Sequence, residues 1–335
     1  MKKKLLSLLL AIVVSVTGLV GCSNKEEGKK ELTKITISEF RNLSWVAAYI
    51  AKENGYFEEE GLDAEFALYD DGPIAFQGMH GGDSQFCLLS SEPVLKAQEE
   101  GLKSKFIYSV LDTRLYGFVT SPEIKDIKEL KGKAIFAGMP GSAPYSFVSA
   151  ILKEGGLDPE KDVTFVNMDY TASMPALEKG QIAASYIHVD NRVELQSMDV
   201  NYLVDTIRKD DAIKYLKSEV FPAEIVCTTE KFAEENPETV QAFVNAISKA
   251  TEWMNENSGE EIAKVLAPYY EGMDQKVLAQ KLDILKESIT KTGFIGEEEE
   301  KAVQNFCMGN GVITKEIPYE EVVDMTFVNK YQEEK

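Results

Sequence analysis

Between Lys34 and Thr229 the chain alternates short apolar runs with segments of helical spacing, and this rhythm limits the fold more than any other feature. KITISEF (34–40), DAEFALY (63–69), QFCLLS (85–90), KFIYSVL (105–111) and LYGFVT (115–120) read as strands, rich in β-branched and aromatic residues. KAIFAG (133–138), VTFVNM (163–168), AASYIHV (183–189), NYLVDT (201–206) and EIVCTT (224–229) continue the series. Helical segments fall between them: Trp45–Lys52 closed by Asn54-Gly55, residues 71–79 with Pro73 in the first turn, and residues 92–101 closed by Gly101. Ala143–Glu154, Met174–Lys179 and Arg192–Met198 follow. After Lys231 the pattern is helical throughout: Glu238–Glu256, Glu260–Tyr270, Gln275–Thr290, Glu297–Met308 and Tyr319–Tyr331.

Such alternation predicts an α/β protein with mostly parallel sheets covered on both faces. Strands are distributed about evenly on either side of Ser121-Pro122, which favours two sheets over one. The run at 224–229 is expected to return to the first sheet. The expected organisation is therefore a discontinuous lobe, 34–120 plus 221–335, a second lobe, 121–220, and a helical C-terminal third.

The N-terminus carries different information. Lys2, Lys3 and Lys4 precede an uncharged, mostly apolar stretch from Leu5 to Val20, the n-region and h-region of a secretory signal peptide over 1–21. The stretch is short of the roughly 20 residues that span a bilayer. Leu19-Val20-Gly21-Cys22 resembles the lipobox of bacterial lipoproteins, which implies diacylation of Cys22 and cleavage before it. Two acyl chains anchor stably where one does not. The charged run that follows, within 22–33, reads as a tether. The expectation is a protein on the extracytoplasmic face of the cell membrane, held by lipid.

That leaves Cys87, Cys227 and Cys307 with no spacing that suggests zinc, so buried free thiols are expected. His80 and His188 are the only histidines and form no metal constellation; no metal or cofactor is expected. The formal net charge of −20 argues against nucleic acid, which selects basic stripes.

Three segments carry a family resemblance. WVAAYIAKENGYFEEEGLDAEF (45–66), AFQGMHGGDSQFCLLSSEPVLKAQEEG (75–101) and LEKGQIAASYIHVDN (177–191) resemble, in this order, blocks of the solute-binding proteins of ABC importers. The family includes binders of aliphatic sulfonates, taurine and nitrate, and of the pyrimidine precursor of thiamine. In the third block Ala184 stands where an acidic residue is usual, and Asn191 where proline is usual. The resemblance implies a type II periplasmic-binding-protein fold and a monomer that closes two lobes on a solute. Its partners would be an ABC permease and its ATPase.

Ligands of open α/β sheets sit beyond strand carboxyl ends, against helix N-termini. Those positions are Arg41, Asn42, Ser44 and Trp45 after the first strand, and Ser90, Ser91 and Glu92 after the third. In the second half they are Gly141, Ser142 and Tyr145, then Asp169 and Tyr170. Tyr116, Tyr186 and His188 add aromatic walls, suited to flat or apolar solutes. Arg41 and Arg114 are the cations placed for a ligand anion, with Glu39, Glu92, Asp112, Asp169 and Glu224 near enough in sequence to neutralise them. The loop AIFAGMPGSAPYSF (134–147) lacks the Gly-Lys-Ser/Thr of a phosphate-binding loop, which removes nucleotide hydrolysis. GxSxG is absent, as are the clustered cysteines of a thiamine-pyrimidine synthase on the same fold, so an enzyme is not expected. A lipid-anchored sensor or adhesin without transport role is the other alternative.

Overall fold

The computed structural model describes residues 31–335 apart from Arg41 and Ala223. The signal peptide, Cys22, most of the tether and the Arg41 site assignment lie outside the described residues.

Ten strands form two five-stranded sheets. The first has the order β2-β1-β3-β10-β4, from β1 (Thr33–Glu39), β2 (Leu62–Leu68), β3 (Phe86–Ser90), β4 (Ser104–Leu111) and β10 (Glu224–Thr229). The second has the order β7-β6-β8-β5-β9. Its members are β5 (Gly117–Thr120), β6 (Ala134–Phe136), β7 (Thr164–Phe165), β8 (Ala184–Ile187) and β9 (Asn201–Asp205). The chain passes from the first sheet to the second after β4 and returns after β9.

The sheets are mixed rather than mostly parallel. β1 runs parallel to β2 and β3, but β10 is antiparallel to both β3 and β4. Likewise β6 is parallel to β7 and β8, while β5 is antiparallel to β8 and β9. Each sheet thus holds one reversed strand, and in each it is the strand that enters directly from the other sheet. A chain that arrives at the end where its neighbours finish must run back against them. β5 and β10 therefore begin where β1, β3, β6 and β8 end.

β3 is buried at every position, as expected of a strand covered on both faces. Its cover includes the helix Pro237–Glu256, opened by Pro237 and burying Val240, Phe243, Val244, Ile247, Ala250 and Met254 along one stripe. The Phe243 ring stacks on Phe86 at 3.9 Å. Full burial of one such ring is worth about 1.5–3 kcal/mol.

The C-terminal third departs from its sequence pattern at two places, both against β4. The segment expected as one helix over Gln275–Thr290 stops at Lys286, because Ile289 pairs with Leu111 and the Thr290 amide donates to Val110 O at 3.0 Å. The helix expected over Tyr319–Tyr331 breaks after Val322, where Val323 bridges Phe106 and the Asp324 amide donates to Phe106 O at 2.9 Å. β4 is an edge strand, and covering its unpaired backbone outweighs local helical preference. No described helix is long and apolar enough to cross a membrane.

Candidate functional site

A cavity of ≈ 760 Å³ opens where the two sheets face each other, within the range of small-molecule sites. Ends of strands and first turns of helices supply its wall. Asn42 and Ser44 come from the turn after β1, Asp71 from the cap of the helix Gly72–Gly81, and Ser90 from the end of β3. Across from them stand Ser142 at the cap of the helix Ala143–Glu154, Tyr170 opening the helix Tyr170–Glu178, and Tyr186 and His188 around the end of β8. The two reversed strands bring in Tyr116 and Glu224 at their starts. Met273 and Lys281 enter from the C-terminal helical region.

Aromatic rings form one side. Tyr116 meets Tyr186 edge-on at 4.8 Å and His188 at 5.6 Å, and Tyr170 meets Tyr186 at 6.3 Å. Each such pair adds about 0.5–1.5 kcal/mol to the burial of its rings, which fixes the wall's shape before a ligand arrives.

Two carboxylates form the polar side. Glu224 accepts from Ser90 Oγ and from the Tyr116 hydroxyl, each at 3.1 Å. Burial pushes its carboxyl up from the ordinary range, and the nearby Arg114 and His188 oppose that rise. Asp71 accepts from the Gly72 amide at 2.6 Å and from the Tyr170 hydroxyl at 3.4 Å. Burial raises it as well, against those hydrogen bonds. Burial also raises the Tyr116, Tyr170 and Tyr186 hydroxyls, so they stay protonated donors.

Arg114, Arg192 and Lys281, among the described residues, are committed elsewhere. Arg114 is fully buried behind the wall, bidentate to Glu92 at 2.5 and 2.9 Å and held between the Tyr116 and Phe221 rings. Arg192 is bidentate to Asp205 at 2.8 and 3.1 Å and also donates to Leu115 O. Lys281 lines the cavity, but its ammonium donates to the Asp190 carbonyl and to Glu194 at 2.6 Å. The wall also carries Asp70, Glu178 and Asp190, so carboxylates outnumber cations among its described charged groups.

One constellation spans the cavity. Ser44 Oγ lies 3.2 Å from His188 Nε2, and His188 Nδ1 lies 2.9 Å from Asp190 Oδ2. A carboxylate only accepts, so Nδ1 carries a proton, and in the neutral ring Nε2 accepts from the serine hydroxyl. Asn42 fixes the serine turn by accepting from the Ser44 amide at 2.7 Å. The His188 amide donates to Asn191 Oδ1 at 3.2 Å.

Of the residues singled out in the sequence, Asn42, Ser44, Ser90, Tyr116, Ser142, Tyr170, Tyr186 and His188 line the cavity. The other described ones lie off its wall. Trp45 is packed in the core, edge-on to Phe40 at 5.9 Å. Ser91 and Glu92 are buried in the turn behind Ser90. Tyr145 turns away to pack on Phe165 at 4.5 Å, because it sits one helical step past the cavity-facing Ala143 and Pro144. Gly141 is an exposed turn glycine with φ +87°, and Asp169 is an exposed helix cap. The sequence had not singled out Asp71, Glu224 or Lys281 for the site. Asp71-Gly72-Pro73 is a legible helix start, so Asp71 could have been found by its capping role. Cys87, Cys227 and Cys307 are buried free thiols.

Comparison with known proteins places this geometry. The model of a family described as NMT1/THI5 like matches residues 42–261. A Bacillus subtilis (strain 168) protein named for binding aliphatic sulfonates is 28% identical over 99% of this chain and 98% of its own. The formylaminopyrimidine-binding protein of Halalkalibacterium halodurans is 24% identical over 85% of this chain and 86% of its own. The alkanesulfonate-binding protein SsuA of Xanthomonas axonopodis pv. citri, solved with MOPS bound, superposes with a TM-score of 0.71 at 16% identity. That superposition covers 88% of this chain and 99% of SsuA, and at such identity it speaks for the fold alone. The chain belongs to the NMT1/THI5-like family and has the two-lobe fold of the periplasmic binding proteins.

Proposed function

We propose that this chain is the receptor of an ABC importer, lipid-anchored through Cys22 on the extracytoplasmic face. As a monomer it captures one small, flat, nitrogen-bearing solute between its lobes and passes it to a permease and ATPase. Capture works by population shift, since a solute that touches both lobes stabilises only the closed form. The observation that carries the solute class is the pair of buried carboxylates, Glu224 and Asp71, beside a tyrosine wall. Ring N–H and amino groups can donate to such carboxylates while the ring face packs on Tyr116 and Tyr186. A bare sulfonate placed beside Glu224 and Asp71 would face two carboxylates, and Lys281 is already engaged. Relatives are named for both solute classes, aliphatic sulfonates and formylaminopyrimidine, so the preference for the heterocycle rests on the two carboxylates.

Calorimetry on the purified chain against 2-methyl-4-aminopyrimidines, taurine and short alkanesulfonates tests this reading. Saturable one-to-one binding of the aminopyrimidine set, with alkanesulfonates at least about tenfold weaker, is the expected result, a gap of about 1.4 kcal/mol. Preference for the sulfonates would overturn the solute class. Membrane retention of a Cys22→Ser variant would overturn the anchor.

A further inference from the structure

The Ser44–His188–Asp190 chain has a geometry that solute capture does not require. We propose that it is a nucleophilic triad, assembled when the lobes close, that transfers the acyl group of a small ester-bearing solute to Ser44 and then to water.

The argument begins with placement. Ser44 stands in the turn after β1 of the first sheet, while His188 and Asp190 stand just after β8 of the second. All three open on the cavity where the solute lies. Nucleophile to base is 3.2 Å and base to orienting carboxylate is 2.9 Å, both within the reach that such catalysis needs. With Nδ1 donating to Asp190, the neutral ring has the productive tautomer, its Nε2 lone pair on the side of the serine hydroxyl.

The base is held from several directions. Its ring stands edge-on to Tyr116 at 5.6 Å. Its amide is tied to Asn191, and the Asp190 carbonyl is tied to Lys281. A histidine so locked is pre-organised for one proton path rather than free to sample several. Because the nucleophile and base come from different lobes, closure both excludes water and completes the triad. In the turn after Ser142, Pro144 has no N–H and the Tyr145 amide donates to Ser142 Oγ, so the amides that open the helix Tyr170–Glu178 are the donors assigned to a developing oxyanion.

The chemistry balances without a further reagent than water. Ser44 Oγ bonds to the ester carbonyl carbon as its proton passes to His188 Nε2. The bond from carbon to the leaving oxygen then breaks, and Nε2 returns the proton to the departing alcohol. Water attacks the acyl carbon and gives a proton to Nε2, which protonates Ser44 Oγ as that bond breaks. The products are a carboxylic acid and an alcohol. Asp190 stabilises the imidazolium formed in between and takes up no proton.

Two probes that do not depend on the identity of the natural solute test the proposal. The full chain is incubated with a fluorophosphonate, which forms an Oγ–P bond and releases fluoride, and the labelled peptide is mapped by mass spectrometry. Hydrolysis of p-nitrophenyl acetate is followed in parallel. The expected result is a label on Ser44, and ester turnover that falls at least about 100-fold in Ser44→Ala and in His188→Ala. A Ser44→Cys variant that reacts with iodoacetamide much faster than the same variant carrying His188→Ala gives the same answer if Ser44→Ala does not fold. Absence of both label and turnover in the wild-type chain overturns the proposal, as does labelling that His188→Ala leaves unchanged. Either outcome leaves solute binding by calorimetry intact, so the receptor reading and this one fail separately.

Discussion

Arg114 and Glu92 form a bidentate ion pair with neither side chain exposed to solvent, directly behind the cavity wall. The pair joins the turn after β4 to the first turn of the helix Ser91–Glu99, and it keeps a guanidinium from the solute site while supporting Tyr116 from behind. Removing one partner strands a buried charge. Glu92→Ala is therefore expected to lower stability by about 3–5 kcal/mol in urea unfolding, whereas the double variant Glu92→Leu/Arg114→Met recovers most of that loss. Equal loss in the single and double variants would show that packing, not charge, dominates there.

Glu224→Gln is expected to weaken binding of an aminopyrimidine at least about tenfold in calorimetry, by exchanging one carboxylate oxygen for a donor. Stability should fall by about 1 kcal/mol, because Ser90 Oγ and the Tyr116 hydroxyl donate to different oxygens of Glu224 and the amide keeps only one of them as an acceptor. Undiminished affinity would remove Glu224 from the recognition set.

The strand and helix rhythm was legible because buried strands such as FCLLS and striped helices such as Pro237–Glu256 write their environment into composition. The mixed direction of the sheets was not. Nothing within EIVCTT or GFVT records that these strands enter from the opposite sheet, so the parallel expectation failed there. The same reversal hid Glu224. A search along strand carboxyl ends finds Ser90 and His188 but passes over a residue at an amino end. Lys281 escaped for another reason, being one lysine on a helix whose packing against the second lobe no local pattern reveals. Ser44 and His188 are 144 positions apart, so their contact exists only in the folded chain.

Glu300 sets a pH dependence. Burial pushes its carboxyl up to about 7, while Gln304 Nε2 donates to both its oxygens at 2.8 and 2.9 Å. In the folded chain it holds its proton to higher pH than in the unfolded chain, so stability falls as pH rises from about 4.5 to 7 and stays reduced above that. Glu300→Gln is expected to stabilise the protein by up to about 3 kcal/mol at pH 8 and to have little effect near pH 4. Thermal unfolding at the two pH values reads the difference, and an effect independent of pH would assign it to packing.

Gly138 has φ +76°, and a Cβ there would run into the Tyr170 hydroxyl and Ser142 Oγ. Gly138→Ala is expected to cost about 1–2 kcal/mol from the left-handed backbone alone. It should also displace Tyr170 from Asp71, so solute affinity falls by more than stability alone explains. A variant that loses stability but keeps wild-type affinity would show that the Tyr170–Asp71 contact is dispensable.

Lys281 is the last relationship with a measurable consequence. It lies on the helix Gln275–Lys286, its side chain is 3% exposed, and its ammonium reaches across to the Asp190 carbonyl and Glu194 on the helix Val189–Leu195. Glu194 is half exposed and can be resolvated, but the Asp190 carbonyl loses its charged donor if the lysine is removed. Hydrogen bonds to charged groups contribute about 1.5–3 kcal/mol, which is roughly a 10–100-fold change in the closed-to-open ratio. Lys281→Met is therefore expected to raise the dissociation rate of a bound solute by about that factor while the association rate changes little. Stopped-flow release and small-angle scattering measure the two halves of this claim. Faster release with an enlarged radius of gyration in the free protein is the expected pair of results. Unchanged release would mean that the lobes are held by the Tyr170–Asp71 and Ser44–His188 contacts without help from the C-terminal helices.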